Sequence, residues 1–279
     1  MSSNMEEQIT KELLDELHSD QMVLPSLPEV ALKIREVLED PDVSTQRIAE
    51  VIQTDAGLTA RLIQVANSPL IRGSTRIETV ESAVTRMGNS MVTNLANSLI
   101  VQQMFQPTTE VSDTKFREFW DHSAQVAAIS HALSGFAKLK PDQALLAGLM
   151  HDIGMLPIIK RAEDVPELLN DNALLDRVIR NTHTAIGEAM LKKWEFPEMF
   201  VDVAAHHENV LRRHDGAADF LDLVIVANLQ SYVDKDHELA KVDWETVPAF
   251  AKLGLDTSVS VVDMSEGENI QEVHDALMI

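Results

Sequence analysis

The sequence predicts an all-α protein of two packed helical lobes, and three observations predict it. Gly and Pro are scarce, at 10 each in 279 residues, and aromatic residues make up only 4% of the chain. Apolar residues recur at helical spacing from Met5 to Tyr232. A polar, Pro-containing stretch, residues 106–113, divides that pattern into two differently spaced halves. A chain of this size can bury roughly three quarters of its unfolded surface, and the 45% hydrophobic fraction supplies the core.

Met5, Ile9, Leu13 and Leu17 put one apolar stripe on an N-terminal helix spanning residues 1–20. Pro25 and Pro28 break it, Pro28 suiting the first position of the next helix, which carries Val30, Ile34, Val37 and Leu38 and stops near Asp40-Pro41. Ser44 reads as the N-cap of a helix bearing Ile48, Val51 and Ile52. Leu58, Leu62, Ile63 and Val65 continue the pattern to Ala66-Asn67-Ser68-Pro69, followed by helical stretches at 80–86 and 90–105. These elements make up a first lobe over residues 21–106. A long helix is expected at 114–138, another from Pro141 to His151, and shorter ones to about Tyr232, giving a second lobe over 114–235. The remainder, 236–279, holds ten acidic residues against Lys241 and Lys252 and reads as a peripheral, partly helical extension with a short strand at 257–263.

Charge and composition narrow the function. The 23 basic against 45 acidic residues give a net charge of −22, the wrong field for a nucleic-acid binder, which needs a basic footprint. No apolar run approaches the ~18 residues of a membrane span, and the first residues lack the basic and apolar regions of a secretory signal, so a cytoplasmic protein is expected. With no Cys, any metal must be held by nitrogen and oxygen ligands.

Those ligand types collect in the second half. His151-Asp152 ends an apolar helix, and Gly154 frees the chain to turn. His122 lies early in the long helix, and His183 opens a stripe of Ile186, Met190 and Leu191, with Gly187 one turn on. His206-His207 follows Val201, Val203 and Ala204. An unpaired polar group on such apolar helices is costly. His206 and His207 stand about 100° apart on a helix, so the two cannot both face one ion. The alternative for each residue is a hydrogen-bonded core histidine. His18, His131, His214, His237 and His274 have no ligand-like context.

The series His122, His151-Asp152 in His-Asp-Ile-Gly, His183 in His-Thr-Ala-Ile-Gly, and His206-His207-Glu208 resembles the HD superfamily of metal-dependent phosphohydrolases. That resemblance implies an Asp bridging one or two divalent ions, such as Fe, Mn or Zn, with His residues completing the coordination. Leu24-Pro25-Ser26-Leu27-Pro28, the segment from Asp55 to Leu62, Val65-Ala66-Asn67-Ser68 and the stretch ending in Met87-Gly88 are similar to the HDOD domain, an HD-related module of bacterial signalling proteins. The likeness covers about residues 24–211 and implies an HD-like helical bundle for the second lobe. Two positions depart from a hydrolase that cleaves cyclic di-GMP: Met155 stands where Lys follows His-Asp-Ile-Gly, and Asn228 is the nearest match to a late metal-binding Asp. The Gly-Tyr-Pro signature of that branch is absent. The resemblance thus implies a non-catalytic signalling or interaction module with a retained or vestigial metal site and a protein partner. Against it stand a metal-dependent phosphohydrolase, and a nucleotide receptor without turnover whose phosphates would need Lys192-Lys193 or Arg212-Arg213.

Overall fold

The computed structural model describes residues 2–19, 21–38, 40, 42–68, 76–258, 260 and 267–278. Regular structure among them is helical, with no strand. The first half comprises α1 (Ser2–His18), α2 (Glu29–Leu38), α3 (Thr45–Ile52), α4 (Ala56–Ala66), α5 (Val80–Met87) and α6 (Asn89–Met104). Ser44 caps α3 by accepting from the Arg47 amide. Asp55 and Thr79 cap α4 and α5 in the same way, each satisfying an amide that the first turn leaves unpaired. Asn67, just past α4, bonds Ile63 O, Ile77 O and Ile77 N, each at 2.8 Å, and so ties the two sides of residues 68–76 together.

The second half is organised on α7 (Glu110–Ala137), a 28-residue helix whose start is fixed by a capping box between Thr109 and Ser112. It begins four residues earlier than the sequence suggested, because Thr109 captures the Ser112 amide before the apolar pattern starts. Helices α8 (Pro141–Met150), α9 (Met155–Ala162), α10 (Pro166–Leu169), α11 (Asn172–Lys193), α12 (Glu198–His206) and α13 (Phe220–Ser231) follow. From Leu221 to Ser231 every residue of α13 is buried, the polar Asp222, Asn228 and Gln230 included. One contiguous apolar cluster runs from Leu13 and Ile34 through Ile52, Leu62 and Ile100 to Phe119, Leu133, Leu175 and Leu223.

The C-terminal segment is not peripheral. Helix α14 (Pro248–Leu253) inserts Phe250 fully into the core, and α15 (Gly267–Met278) lies along α7 with Ile270 and Val273 buried. Acidic residues mask these few apolar anchors in the sequence. Of the expected strand at 257–263, Thr257 and Ser258 form a turn and Ser260 lies in no regular element; the rest falls outside the described residues.

The chain between α6 and α7 is held by one buried carboxylate. Glu163 accepts from the Thr108 amide (2.7 Å), Thr108 Oγ1 (2.6 Å), Ser112 Oγ (2.5 Å) and Lys160 Nζ (2.6 Å). Burial opposes its ionisation, but these donors outweigh burial and hold its pKa down to about 2, from 4.5. A group with a depressed folded pKa stabilises above its unfolded pKa and loses that contribution as pH falls through the folded one. Glu163→Gln should therefore lower stability at pH 7 by about 1–3 kcal/mol. Urea unfolding should show the gap between the variant and the native chain closing as pH falls from 4.5 toward 2.

Candidate metal centre

Five helical segments deliver the polar residues to one place. His122 comes from α7, His151 and Asp152 from the turn after α8, His183 from mid-α11, His207 from the end of α12, and Asn228 from α13. Glycines permit the approach. A Cβ on Gly148 would lie 2.5 Å from Ala127 Cα, so its absence lets α8 press onto α7 and bring His151 to His122. A Cβ on Gly154 would collide with the His183 carbonyl oxygen and the Gly187 amide nitrogen. Gly154 has an ordinary right-handed φ of −68°, so close contact with α11, rather than freedom to turn, is what requires glycine there.

Three imidazoles are oriented by their own helices. Nδ1 of His151, His183 and His207 contacts the carbonyl oxygens of Gly148 (2.7 Å), Ile179 (2.9 Å) and Val203 (3.1 Å). A carbonyl only accepts, so Nδ1 carries a hydrogen and each ring turns its Nε2 inward, a lone pair whenever the ring carries no second proton. There Nε2 of His151 lies 3.2 Å from Nε2 of His122, and Nε2 of His183 lies 3.3 Å from Nε2 of His207. Facing lone pairs at that range repel unless a cation or proton lies between or beside them.

Asp152 sits between the pairs and divides its oxygens. Oδ2 is 3.3 Å from His151 and 3.6 Å from His122, whereas Oδ1 is 3.0 Å from His207 and 3.4 Å from His183. Two groups result, His122–His151–Asp152 and Asp152–His183–His207, the ligand atoms of each lying within 4.8 Å of one another. Burial works against the Asp152 charge, but positive charge and an N–H on the His151 and His207 rings, when they carry a second proton, hold its carboxyl well below the usual range. Burial, and next the neighbouring His151, drive His122 down to about 3, leaving a neutral donor. Asn228 is 4% exposed, and its Oδ1 has no hydrogen-bond partner. A buried amide oxygen left unpaired is costly, and it belongs to the same pocket wall as Asp152.

That wall encloses a cavity of about 500 Å³, lined also by Met155, His183, His207, Glu208 and Tyr232. Met155 adds an apolar side chain to that wall. Tyr232 places its hydroxyl 3.3 Å from His122 Nε2, and burial, followed by the Asp152 charge, pushes its pKa upward.

The structure separates the two adjacent histidines. His207 is 1% exposed and points inward, whereas His206 is exposed on the far side of α12 and joins neither group. His206 is therefore removed from the expected ligand set, and the ~100° between successive helical residues is the reason. Lys192 pairs with Glu188 at 2.6 Å, Lys193 donates to Leu24 O at 2.7 Å, and Arg213 is exposed. Arg212 holds Asp219 and Asp222 at 2.6 and 2.9 Å. None of the four lines the cavity; its wall instead carries Arg180. Arg180 and Tyr232 went unnoticed in the sequence, although they lie one turn from His183 and Asn228. His214 gathers with Asp219 and Asp222, but Arg212 already ion-pairs with both carboxylates, so this third cluster is an ion-pair network bracing the chain before α13.

Known proteins agree with this architecture. A solved structure from Shewanella amazonensis, described as "Putative metal-dependent phosphohydrolase", superposes with a TM-score of 0.83 at 31% identity, covering 98% of both chains. An HDOD domain protein of unknown function from Geobacter sulfurreducens shares the fold, with a TM-score of 0.70 at 21% identity over 99% of this chain and 98% of that one. An uncharacterized protein of Treponema pallidum is 27% identical over 220 residues, which is 74% of this chain and 42% of the relative, so the chain spans less than half of that curated protein. The HDOD domain family itself matches residues 24–210, two thirds of the sequence and every helix from α2 to α12, and the chain belongs to that family.

Proposed function

We propose that this protein is an HDOD signalling module built around a divalent-metal centre, binding a phosphate-bearing ligand and a protein partner with little or no turnover. The observation that carries the metal reading is the division of the Asp152 oxygens between two histidine pairs whose Nε2 atoms all face inward. His122, His151 and Asp152 would hold one ion and Asp152, His183 and His207 a second, with Asn228 Oδ1 as a neutral donor. Fe, Mn and Zn suit such mixed imidazole and carboxylate sets. A divalent ion supplies Lewis acidity and a lowered pKa for water. The remaining chemistry belongs to the side chains, and there the site is poorly equipped for catalysis. Asn228 offers an amide where a carboxylate binds a cation far better, and Met155 offers nothing to an anion.

Phosphohydrolase activity is the second reading, favoured by the 500 Å³ cavity opening on the cluster and by the description of the 31% identical relative. One experiment separates the two. Metal-loaded native protein should hydrolyse cyclic di-GMP or simple phosphodiesters very slowly or not at all, whereas Met155→Lys combined with Asn228→Asp should raise the rate, since a single electrostatic contact of this kind is worth about 10²–10³-fold. Turnover by the native chain at rates typical of enzymes would overturn the signalling reading.

A further inference from the structure

Residues 232–239 leave α13 and pass along the mouth of the cavity, contributing Tyr232, Asp236, His237, Glu238 and Leu239 to its wall. They lie beyond the part of the chain that the family matches. We infer that this segment is a strap closing the cavity, with Glu238 occupying Arg180 as an internal substitute for the anionic group of a ligand. The inference rests on the metal-centre reading above.

The strap is secured unequally at its two ends. On the α7 side, Tyr232 reaches His122, its ring stacks on His237 with centroids 3.8 Å apart and planes 10° from parallel, and Lys235 bonds Gln125 at 2.6 Å. Asp234, at a φ of 61°, turns the chain sharply between these contacts. On the α11 side the polar tie among the described residues is one ion pair, Arg180 to Glu238 at 3.2 Å, with the two side chains 46% and 74% exposed, while Leu239 packs against the core. Exposed pairs of this kind are worth little and exchange readily.

Charge makes Arg180 the point of recognition. It is the one Arg or Lys among the described residues lining the cavity, against Asp152, Asp176, Glu208, Asp236 and Glu238. Asp176 is already matched by Lys115 at 2.7 Å. A guanidinium grips phosphate through two parallel hydrogen bonds, and Glu238, held at Nη1, competes with an arriving phosphate for that group. Binding at Arg180 thereby weakens the tie that Glu238 makes on the α11 side.

The test uses full-length protein loaded with Mn²⁺, its Mn content measured first, and inorganic phosphate as the probe in equilibrium dialysis. Both side chains are exposed, so the substitutions are compatible with folding. Glu238→Gln should bind phosphate about 2- to 5-fold more tightly, the factor that an exposed pair represents. Arg180→Gln should bind roughly 10-fold more weakly or worse. The double variant should match Arg180→Gln, because Glu238 acts through Arg180 alone. If Glu238→Gln tightens binding equally in the Arg180→Gln background, Glu238 is a general repulsive charge and the inference fails. Phosphate binding to none of the Mn-containing proteins, or equal binding to all, overturns it as well. Absence of Mn from the native protein would instead refute the metal centre, and the strap's role with it.

Discussion

Gly154→Ala should lower stability by about 3 kcal/mol or more, and metal binding should be lost with it. The added methyl has no flexible neighbour to push aside. It meets the backbone of His183 and Gly187, so either α11 or the turn carrying Asp152 must move. Overpacking costs about 1–3 kcal/mol where side chains can adjust, and backbone contacts place this site at the upper end. For a chain of this size, 3 kcal/mol corresponds to a fall in Tm of roughly 6–12 °C. Gly135→Ala is the matched control, since that glycine lies exposed in α7 with open space around its Cβ position. It should raise stability by about 0.5–1 kcal/mol. Thermal unfolding of both variants checks the pair, and equal behaviour would remove the close-approach argument.

Asp152→Asn should abolish metal binding while leaving the helical content unchanged. The carboxylate is shared by both histidine pairs, so losing it removes the anionic ligand of each. Saturating native protein with Mn²⁺ or Zn²⁺ at about 100 times Kd should stabilise it by roughly 2.7 kcal/mol, a rise in Tm of about 5–11 °C. The variant should show no rise, and elemental analysis should find it empty. A variant that keeps both its metal and its thermal shift would mean that the histidines bind without the bridge.

Much of this site was legible in the sequence because its ligands sit on strongly patterned helices. His122, His151, Asp152, His183, His206 and His207 are marked by their apolar context together with the likeness to the HD superfamily, and the structure draws all of them but His206 together. The choice between the last two was also readable in principle. Phe200, Val203 and Ala204 define the buried face of α12, and His207 continues it at i+4 from Val203 while His206 does not. What stayed hidden depends on packing between distant elements. Gly154 resembled a turn glycine until α11 was seen lying against it. Arg180 and Tyr232 carry no motif and gain meaning only when α11 and α13 face one cavity. The C-terminal segment buries few side chains, so Phe250, Ile270 and Val273 were outweighed by the acidic residues around them. The all-helical fold needed no such information, since it follows from local periodicity and caps.

A crystal structure of protein purified without chelators, with diffraction recorded on either side of the Mn, Fe and Zn absorption edges, tests the central claim most directly. Anomalous density beside Asp152, bounded by His122 and His151 on one side and His183 and His207 on the other, is the predicted result. Density at His214, Asp219 and Asp222 instead, or none at either cluster after soaking in millimolar metal, would contradict it.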